Sequence, residues 1–297
     1  MYKDEPVKGK VGKGVGNQKN HRGSLRNLRI VSWIFINFVR NSEVMEKYIC
    51  ENVFVPLRSG PSHKSEMMSQ ILFGEKYIVV DKAGKWLKVE TLFDKYQGWI
   101  DIDHLQQTID LDKKTGFVLN TALLCFKNDK TKLILEPGCE VFKPDYKDKK
   151  FFVGENVYHT CNEFNESYTS TNDSFPDLGI KFINSPYVWG GRIPSGIDCS
   201  GFTQLVYKIK GIAIPRDSCQ QVEAGRGIDF IDETLPGDLV FFDNERGKVT
   251  HVGMIYSKGL VIHASGRVRI DPIDHQGIFK QEIGAYSHKL RTIRRIV

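Results

Sequence analysis

Three absences narrow the function of this 297-residue sequence. None of its six cysteines forms a Cys-x-x-Cys pair, which argues against a zinc ribbon or a thioredoxin-like site. The apolar stretch Ile30–Val39 has ten residues and is too short to span a bilayer. The net charge of +6 is confined to residues 1–44, which hold nine Lys and Arg against three Asp and Glu. The remaining residues carry 33 basic and 33 acidic side chains, so a nucleic-acid surface is not supported.

The N-terminus allows two interpretations. Ile30–Val39 follows a basic leader and has the length of a signal-peptide core, but no small-x-small cleavage site follows it. Alternatively, translation starts at Met45, and residues 1–44 are a basic extension that is disordered or not made. We prefer the second interpretation and predict a cytoplasmic protein, in which scattered cysteines remain free thiols. Export to the periplasm or the cell exterior is the alternative.

Residues 45–165 have the pattern of small β-barrels. Short strand-like segments with Gly at the turns predict one barrel over residues 45–110 and a second over residues 111–165. Residues 161–173 are polar and predict a linker. Residues 174–297 combine one clear helix with Val-, Ile- and Phe-rich strands, which is an α+β pattern. The predicted strands are Ile49–Leu57, Lys76–Asp81, Trp86–Val89 and Gln97–Ile100, and the predicted turns are Lys82–Lys85, Asn128–Lys130 and Pro137–Gly138.

The segment around Cys199 predicts a reactive thiol. A Gly- and Pro-rich loop ends at Asp198, a good helix N-cap, and apolar residues then follow at helical spacing until Gly211. Cys199 is therefore expected at the first position of an amphipathic helix. There the free N–H groups and the helix dipole favour a thiolate, which lowers the thiol pKa. We read Cys219, which lacks a Gly-rich approach, as a packing residue.

Two histidines in strand-like segments can supply a base. If Ser257–Gly259 form a three-residue hairpin loop, Tyr256 pairs with Leu260 and Gly253 pairs with His263. His251 and His263 then share one face of the sheet, so one imidazole can take the thiol proton while the other orients it. A register shifted by one residue would separate them. The other six histidines show no comparable context.

These motifs resemble the NlpC-type family of papain-like cysteine peptidases, which act on bacterial cell-wall peptides. The resemblance covers residues 174–272 in the family's order and spacing, and it implies a papain-like α+β catalytic domain. The matching segments are Pro186–Gly191, Asp198–Phe202, Leu235–Phe242, Thr250–Gly253 and Ile262–Ser265.

The resemblance implies a role for each motif residue. Cys199 would be the nucleophile, His251 the base and His263 the orienting third member. The Tyr187 hydroxyl and the Cys199 backbone N–H would stabilise the oxyanion. The family needs neither a metal nor a cofactor. The residues implied to flank the substrate are Trp189, Asp198, Ser200 and Ser218, of which Asp198 is also explained as a helix cap, as is Asp217 beside Ser218.

The N-terminal half is similar to the bacterial SH3-type domain of dipeptidyl-peptidase VI-like enzymes. The similarity lies in Val55–Arg58, Pro61–Met67 and Leu72–Glu75. It implies cleavage of the γ-D-glutamyl–diamino-acid bond in murein peptides with a free N-terminal L-Ala. Glu66 matches the acidic residue that holds the free ammonium group, and Tyr96 is predicted as its tyrosine partner.

The expected protein is multidomain, with small SH3-type β-barrels before a papain-like peptidase domain at residues 174–297. Its expected partner is a murein-derived L-Ala-γ-D-Glu-diamino-acid peptide. Three alternatives remain open: a secreted hydrolase of intact cell wall, an acyltransferase with the same Cys-His-His core, and a non-catalytic wall-binding module.

Overall fold

The computed structural model describes residues 46–106, 116–161 and 163–297. The predictions for residues 1–44, including Ile30–Val39, lie outside this part of the chain. Within it, no helix is long and apolar enough to cross a membrane.

The first sheet is built from residues 46–106. It is antiparallel with strand order β1-β4-β5-β6-β2-β3, and its core contains Leu57, Tyr77 and Val89. The strand predicted over Ile49–Leu57 is confirmed from Phe54 onwards and wrong before it, because Cys50 bonds to the backbone of Gly74 and Glu75 and residues 50–53 leave the ladder. The strands are β1 (Lys47–Ile49), β2 (Phe54–Arg58), β3 (Met67–Leu72), β4 (Lys76–Ala83), β5 (Trp86–Thr91) and β6 (Gln97–Asp101), followed by a 3₁₀ turn at Ile102–His104.

The second sheet is built from residues 116–161 and has the order β7-β10-β11-β12-β8-β9. The predicted turns at Asn128–Lys130 and Pro137–Gly138 are confirmed. A linker was predicted over residues 161–173, but residues 164–170 instead pack on this sheet: Phe164 is buried in its core, and Asn120 Nδ2 donates to the carbonyls of Ser167 and Ser170. The strands are β7 (Phe117–Val118), β8 (Leu123–Lys127), β9 (Thr131–Leu135), β10 (Glu140–Asp145), β11 (Lys150–Val153) and β12 (Asn156–Thr160), and a 3₁₀ turn spans Glu166–Thr169.

The third region, residues 174–297, packs helices on one face of a seven-stranded antiparallel sheet. The order is β15-β21-β16-β17-β18-β19, and β20 pairs with β21. The helices are α1 (Phe175–Ile180), α2 (Cys199–Ile209) and α3 (Ser218–Gln221), with a 3₁₀ turn at Ile231–Glu233. The strands are β13 (Arg192–Ile193), β14 (Gly196–Ile197), β15 (Arg226–Ile228), β16 (Leu239–Asp243), β17 (Val249–Ser257), β18 (Leu260–Ser265), β19 (Arg267–Pro272), β20 (Gly277–Lys280) and β21 (Ala285–Arg295).

The β17–β18 hairpin places the two predicted histidines together. The pairing of Gly253 with His263 is confirmed. The pairing of Tyr256 with Leu260 is wrong, because a bulge between Ile255 and Ser257 brings Ser257 opposite Leu260. The bulge lies between Gly253 and the turn, so it leaves the face shared by the histidines intact.

A buried ion cluster joins all three regions. Glu75 of the first sheet accepts two hydrogen bonds from Arg192, both 2.9 Å long, and one from Lys208 at 2.7 Å. Lys208 also lies 3.0 Å from Glu140 of the second sheet. Burial alone would raise the pKa of Glu75, but the two adjacent cations outweigh burial and lower it to about 2.

Replacing Glu75 with Gln should lower the free energy of unfolding by about 3–5 kcal/mol, because two buried cations lose a shared carboxylate. Chemical denaturation at pH 7 measures the loss. Since the folded pKa of Glu75 is lowered, its contribution is present above the unfolded value near 4.5 and is lost as the pH falls towards 2. The exposed Glu155→Gln is the matched control. A Glu75→Gln protein as stable as this control would contradict a stabilising role for the cluster.

Candidate active site

The predicted nucleophile lies at the start of α2. Asp198, in extended conformation, caps the helix by accepting a 2.7 Å hydrogen bond from the backbone N–H of Gly201. The helix begins at Cys199 and ends at Ile209, which confirms the predicted helix. Gly201 allows close packing here, since a Cβ at this position would lie 2.2 Å from the carbonyl oxygen of Gly191. The Gly-rich loop is therefore pressed directly against the helix N-terminus.

The prediction of a lowered thiol pKa is wrong for Cys199. Its side chain is buried, and burial together with the neighbouring Asp198 carboxylate raises the pKa of the thiol to about 12. Backbone N–H groups of Val252 and Ser200 and the charge of Arg216 act in the opposite direction. A helix N-terminus contributes up to ~2 kcal/mol, whereas three pKa units correspond to about 4 kcal/mol. Cys199 therefore rests as a neutral thiol.

A hydrogen-bonded chain runs from His251 into the protein. His251 Nε2 lies 2.8 Å from His263 Nδ1, and His263 Nε2 lies 2.9 Å from Asp271 Oδ2. All three side chains are buried. Arg269 clamps the same carboxylate with bonds of 2.7 and 2.6 Å. Val252, which follows His251 in the chain, directs its backbone N–H at the Cys199 sulfur. This contact connects the strand of His251 to Cys199.

The Asp271 carboxylate determines the histidine tautomers. Although burial opposes ionisation, the hydrogen bonds from His263 and Arg269 lower the pKa of Asp271 to about 2. The carboxylate must therefore accept the Nε2–H of His263. With that tautomer of His263, Nδ1 accepts from His251 Nε2–H, which leaves the lone pair on His251 Nδ1. That nitrogen has no hydrogen-bond partner among the described residues, so it is free to take a proton.

His251 is also held in a neutral state. Burial lowers its pKa well below 6.5, and His263 and His288 lower it further. The ring of His288 stacks on that of His251, with 4.2 Å between centroids and 28° between planes. The expectation that His288 has no special context is therefore wrong.

Tyr187 lies beside the nucleophile. Its backbone N–H donates to Gly266, which fixes it next to the β18–β19 turn. Burial raises the pKa of its phenol, and Cys199 and Asp198 raise it further. The hydroxyl therefore remains a hydrogen-bond donor near the sulfur.

Asp198 and Ser200 contact Arg216. The fully buried guanidinium binds both Asp198 oxygens at 3.0 and 2.6 Å and the Ser200 hydroxyl at 2.9 Å. The same guanidinium bonds to Ser69 of the first sheet. With its oxygens engaged by Arg216 and by helix and loop N–H groups, Asp198 acts here as an organising residue. Its predicted role as a substrate contact stays a prediction.

The first sheet places two predicted residues against the third region. Glu66 Oε1 accepts a 2.5 Å hydrogen bond from Trp189 Nε1, and both side chains are exposed. The Tyr96 hydroxyl lies 3.1 and 3.2 Å from the two Asp217 oxygens. Burial raises the pKa of Asp217 against the opposing charge of Arg216.

Ser218 and Cys219 begin the short helix α3 after Asp217. Ser218 is half-buried, and its role as a substrate contact stays a prediction. Cys219 is exposed, so the interpretation of Cys219 as a packing residue is wrong. In the described part of the chain, no group of three or more His, Cys, Asp or Glu is arranged to hold a metal ion.

Three residues near the site were not predicted from the sequence: Asp271, Arg216 and His288. Asp271 had a usable signal, since apolar Val268 and Ile270 alternate with Arg269 and Asp271 directly after the His263 strand. Arg216 and His288 had no such signal in the sequence, because their partners Asp198 and His251 lie far from them along the chain.

Comparisons with known proteins match two regions of the chain. Residues 184–286 match the NlpC/P60 family, and residues 57–105 match the bacterial dipeptidyl-peptidase SH3 domain. Two relatives are named gamma-D-glutamyl-L-lysine dipeptidyl-peptidase. The one from Bacillus cereus (strain ATCC 10987 / NRS 248) is 30% identical over 253 residues, which are 75% of this chain and 76% of the relative. The one from Bacillus subtilis (strain 168) is 28% identical over 249 residues, 76% of this chain and 82% of the relative.

Solved structures share the fold. The crystal structure of an NlpC/P60 family protein from Bacillus cereus ATCC 10987 has a TM-score of 0.69 at 24% identity and covers 84% of this chain and 99% of that one. An NlpC/P60 endopeptidase from Photobacterium damselae has a TM-score of 0.61 at 18% identity, with 84% and 70% covered. The chain therefore belongs to the NlpC/P60 family of cell-wall cysteine peptidases, with an SH3-type domain before its catalytic domain.

Proposed function

We propose that the protein hydrolyses the γ-D-glutamyl–diamino-acid bond of murein peptides whose N-terminal L-Ala carries a free amine. The observation that carries this proposal is the hydrogen bond between Glu66 of the SH3-type domain and Trp189 of the loop before Cys199. This bond brings a carboxylate of the SH3-type domain to the exposed Trp189 side chain, ten residues before Cys199 in the chain. The two Bacillus relatives, named for a γ-D-glutamyl-L-lysine bond, support the same substrate class.

Cys199, His251 and His263 form the catalytic core of this proposal. When the peptide binds, the Cys199 thiol gives its proton to His251 Nδ1, and the sulfur attacks the γ-carbonyl carbon of D-Glu. The Cys199 backbone N–H and the Tyr187 hydroxyl stabilise the resulting oxyanion. His251 returns the proton to the leaving amine of the diamino acid. Water, deprotonated by His251, then hydrolyses the thioester and releases L-Ala-D-Glu.

A neutral Cys199 thiol and a neutral His251 imidazole before substrate binds are consistent with these proton transfers. Burial keeps both the thiol and the imidazole uncharged before substrate arrives. The imidazolium forms only during attack, and the ionised Asp271, acting through His263, stabilises it there.

The amine end of the peptide is recognised by groups of the SH3-type domain and the loop before α3. Glu66 Oε2 forms no hydrogen bond with any described residue, so it can accept from the L-Ala ammonium. The exposed Trp189 ring beside it supplies a face for the same cation. Tyr96 and Asp217, held together by a hydrogen bond, add a second acidic group on the domain boundary. An acylated amine would lose its charge and its pairing with these carboxylates.

If the enzyme requires a free amine on its substrate, this requirement also indicates the cellular compartment in which it acts. In intact murein the L-Ala amine is acylated, so an enzyme selective for the free amine acts on released peptides. We therefore keep a cytoplasmic location within the proposal. Cell fractionation tests it: an exported protein processed after Ile30–Val39 would contradict it, and equal cleavage of acylated peptides would favour intact wall as substrate.

Wild-type protein should cleave L-Ala-γ-D-Glu-L-Lys or its diaminopimelate equivalent and spare the N-acetylated form. Product analysis by mass spectrometry measures both, and Cys199→Ala should release no product. Glu66→Gln should lower kcat/KM for the free peptide about tenfold or more, because it removes a charge-assisted hydrogen bond.

Glu90→Gln, a carboxylate of the first sheet bonded to Gln97, is the matched control for Glu66→Gln. Equal cleavage of free and acetylated peptides by wild type would reject the amine requirement. Full activity of Cys199→Ala would reject the nucleophile.

Replacing Asp271 with Asn should lower kcat about a hundredfold with little change in KM. The Asn amide can donate to His263 Nε2, which reverses the tautomers and puts a proton on the nitrogen that must accept one. Steady-state kinetics on the free peptide measures the change. Asp274→Asn, which removes a carboxylate charge beside Tyr286 and outside the catalytic chain, is the control. An unchanged kcat in Asp271→Asn would contradict the tautomer assignment.

A further inference from the structure

His288 contacts the catalytic base from β21, at a position just beyond residues 184–286 that match the family. Its ring is parallel-stacked on His251 at 4.2 Å and meets the edge of His263 at 5.8 Å. Phe242 lies 5.7 Å from His251 and 5.8 Å from His288. His288 is only half-buried, so packing of the sheet core does not explain a histidine there.

The hydrogen bond to His263 fixes only one edge of the His251 ring. Turning the ring about its Cβ–Cγ bond moves Nδ1 through a wider arc than Nε2, so the bond at Nε2 restrains Nδ1 only in part. A flat ring stacked on the imidazole face prevents this rotation, and the stacked geometry seen here is one that aromatic pairs favour. His288 is itself held, because Ser287 Oγ lies 2.9 Å from its Nδ1 and β20 pairs with this part of β21.

We propose that His288 is a positioning residue that holds the imidazole of His251 in line with Cys199. This inference rests on the proposed roles of Cys199 and His251, and it is independent of which peptide is cleaved. His288 does not touch the reacting atoms; it acts through the ring of the base.

His288 also affects the charge that the base can carry. The titratable groups facing it are His251 from β17, His263 from β18, Asp271 from β19 and Lys280 from β20. Burial, then His263 and Lys280, lowers the pKa of His288 to about 4, so it is neutral at pH 7. At lower pH a proton on His288 opposes a proton on His251. A ring of similar shape without a titrating nitrogen should therefore let His251 protonate at higher pH.

The test compares His288→Phe, which keeps a stacking ring, with His288→Ala, which removes it. The first readout is the rate at which iodoacetamide alkylates Cys199 between pH 3 and 8, followed by peptide mapping to separate it from the exposed Cys161 and Cys219. This readout needs no substrate. The second is the split between kcat and KM on the free peptide. His275→Ala, an exposed histidine before β20, is the matched control, and thermal unfolding checks that each variant is folded.

We expect His288→Ala to slow both alkylation and kcat about tenfold or more with KM unchanged, since a small displacement of a catalytic group is costly. His288→Phe should keep a rate near that of wild type at pH 7 and move the acid limb of alkylation to higher pH. A His288→Ala protein that matches His275→Ala in both rates would overturn the proposal. So would a folded His288→Phe protein as slow as His288→Ala. If the peptide is not cleaved but alkylation follows this pattern, the proposed substrate fails and this inference stands.

Discussion

Glu75 lies fully buried between Arg192 and Lys208, and the position of the active site depends on this contact. Two cations removed from water are tolerated only when a carboxylate meets them, and the cost of leaving them unpaired is several kcal/mol. Here the carboxylate comes from the SH3-type domain and the cations come from the catalytic domain. Lys208 also faces Glu140 of the second sheet, so the charges are satisfied only when all three regions are packed together.

The ion cluster also fixes the two sides of the proposed amine site. Arg192 follows the loop that carries Trp189, and its backbone N–H and guanidinium bond to Gln70 at 2.7 and 2.6 Å. Gln70 lies on β3, the strand that begins directly after Glu66. Gly190 abuts the same strand so closely that a Cβ there would lie 2.2 Å from the carbonyl oxygen of Met67. The backbone next to Glu66 therefore packs directly on the backbone next to Trp189 across the domain boundary. This packing fixes the positions of both residues, although their side chains are exposed.

A second set of contacts connects this domain boundary to Cys199. Arg216 bonds to Ser69 of β3 and to Asp198, and Asp198 caps the helix that begins at Cys199. Cys199, the proposed nucleophile, is therefore linked to the SH3-type domain through the side chains of Arg216 and Asp198. On the other side, His251 is fixed at its edge by His263 and on its face by His288. In the proposed mechanism, recognition of the amine and transfer of the proton therefore depend on separate sets of contacts on the two sides of Cys199.

The parts of the site that sequence predicts are those fixed by local structure. The helix start at Cys199 follows from the Asp198 cap and apolar spacing, and the shared face of His251 and His263 follows from one short hairpin. The lowered thiol pKa was predicted wrongly, because burial and the Asp198 carboxylate depend on tertiary packing that the helix position does not reveal. The pairing of Glu75 with Arg192 spans 117 residues, and His288 reaches His251 across β16, whose pairing with both β17 and β21 is irregular at Phe242. Neither leaves a local pattern in the sequence.

The most direct test is a crystal structure of the Cys199→Ala protein with L-Ala-γ-D-Glu-L-Lys bound. We expect the L-Ala ammonium within hydrogen-bonding distance of Glu66 and the γ-carbonyl carbon of D-Glu beside position 199, with the lysine amine near His251. An ammonium group directed away from Glu66 into solvent, with the γ-carbonyl still beside position 199, would contradict the claim that the SH3-type domain selects the free amine.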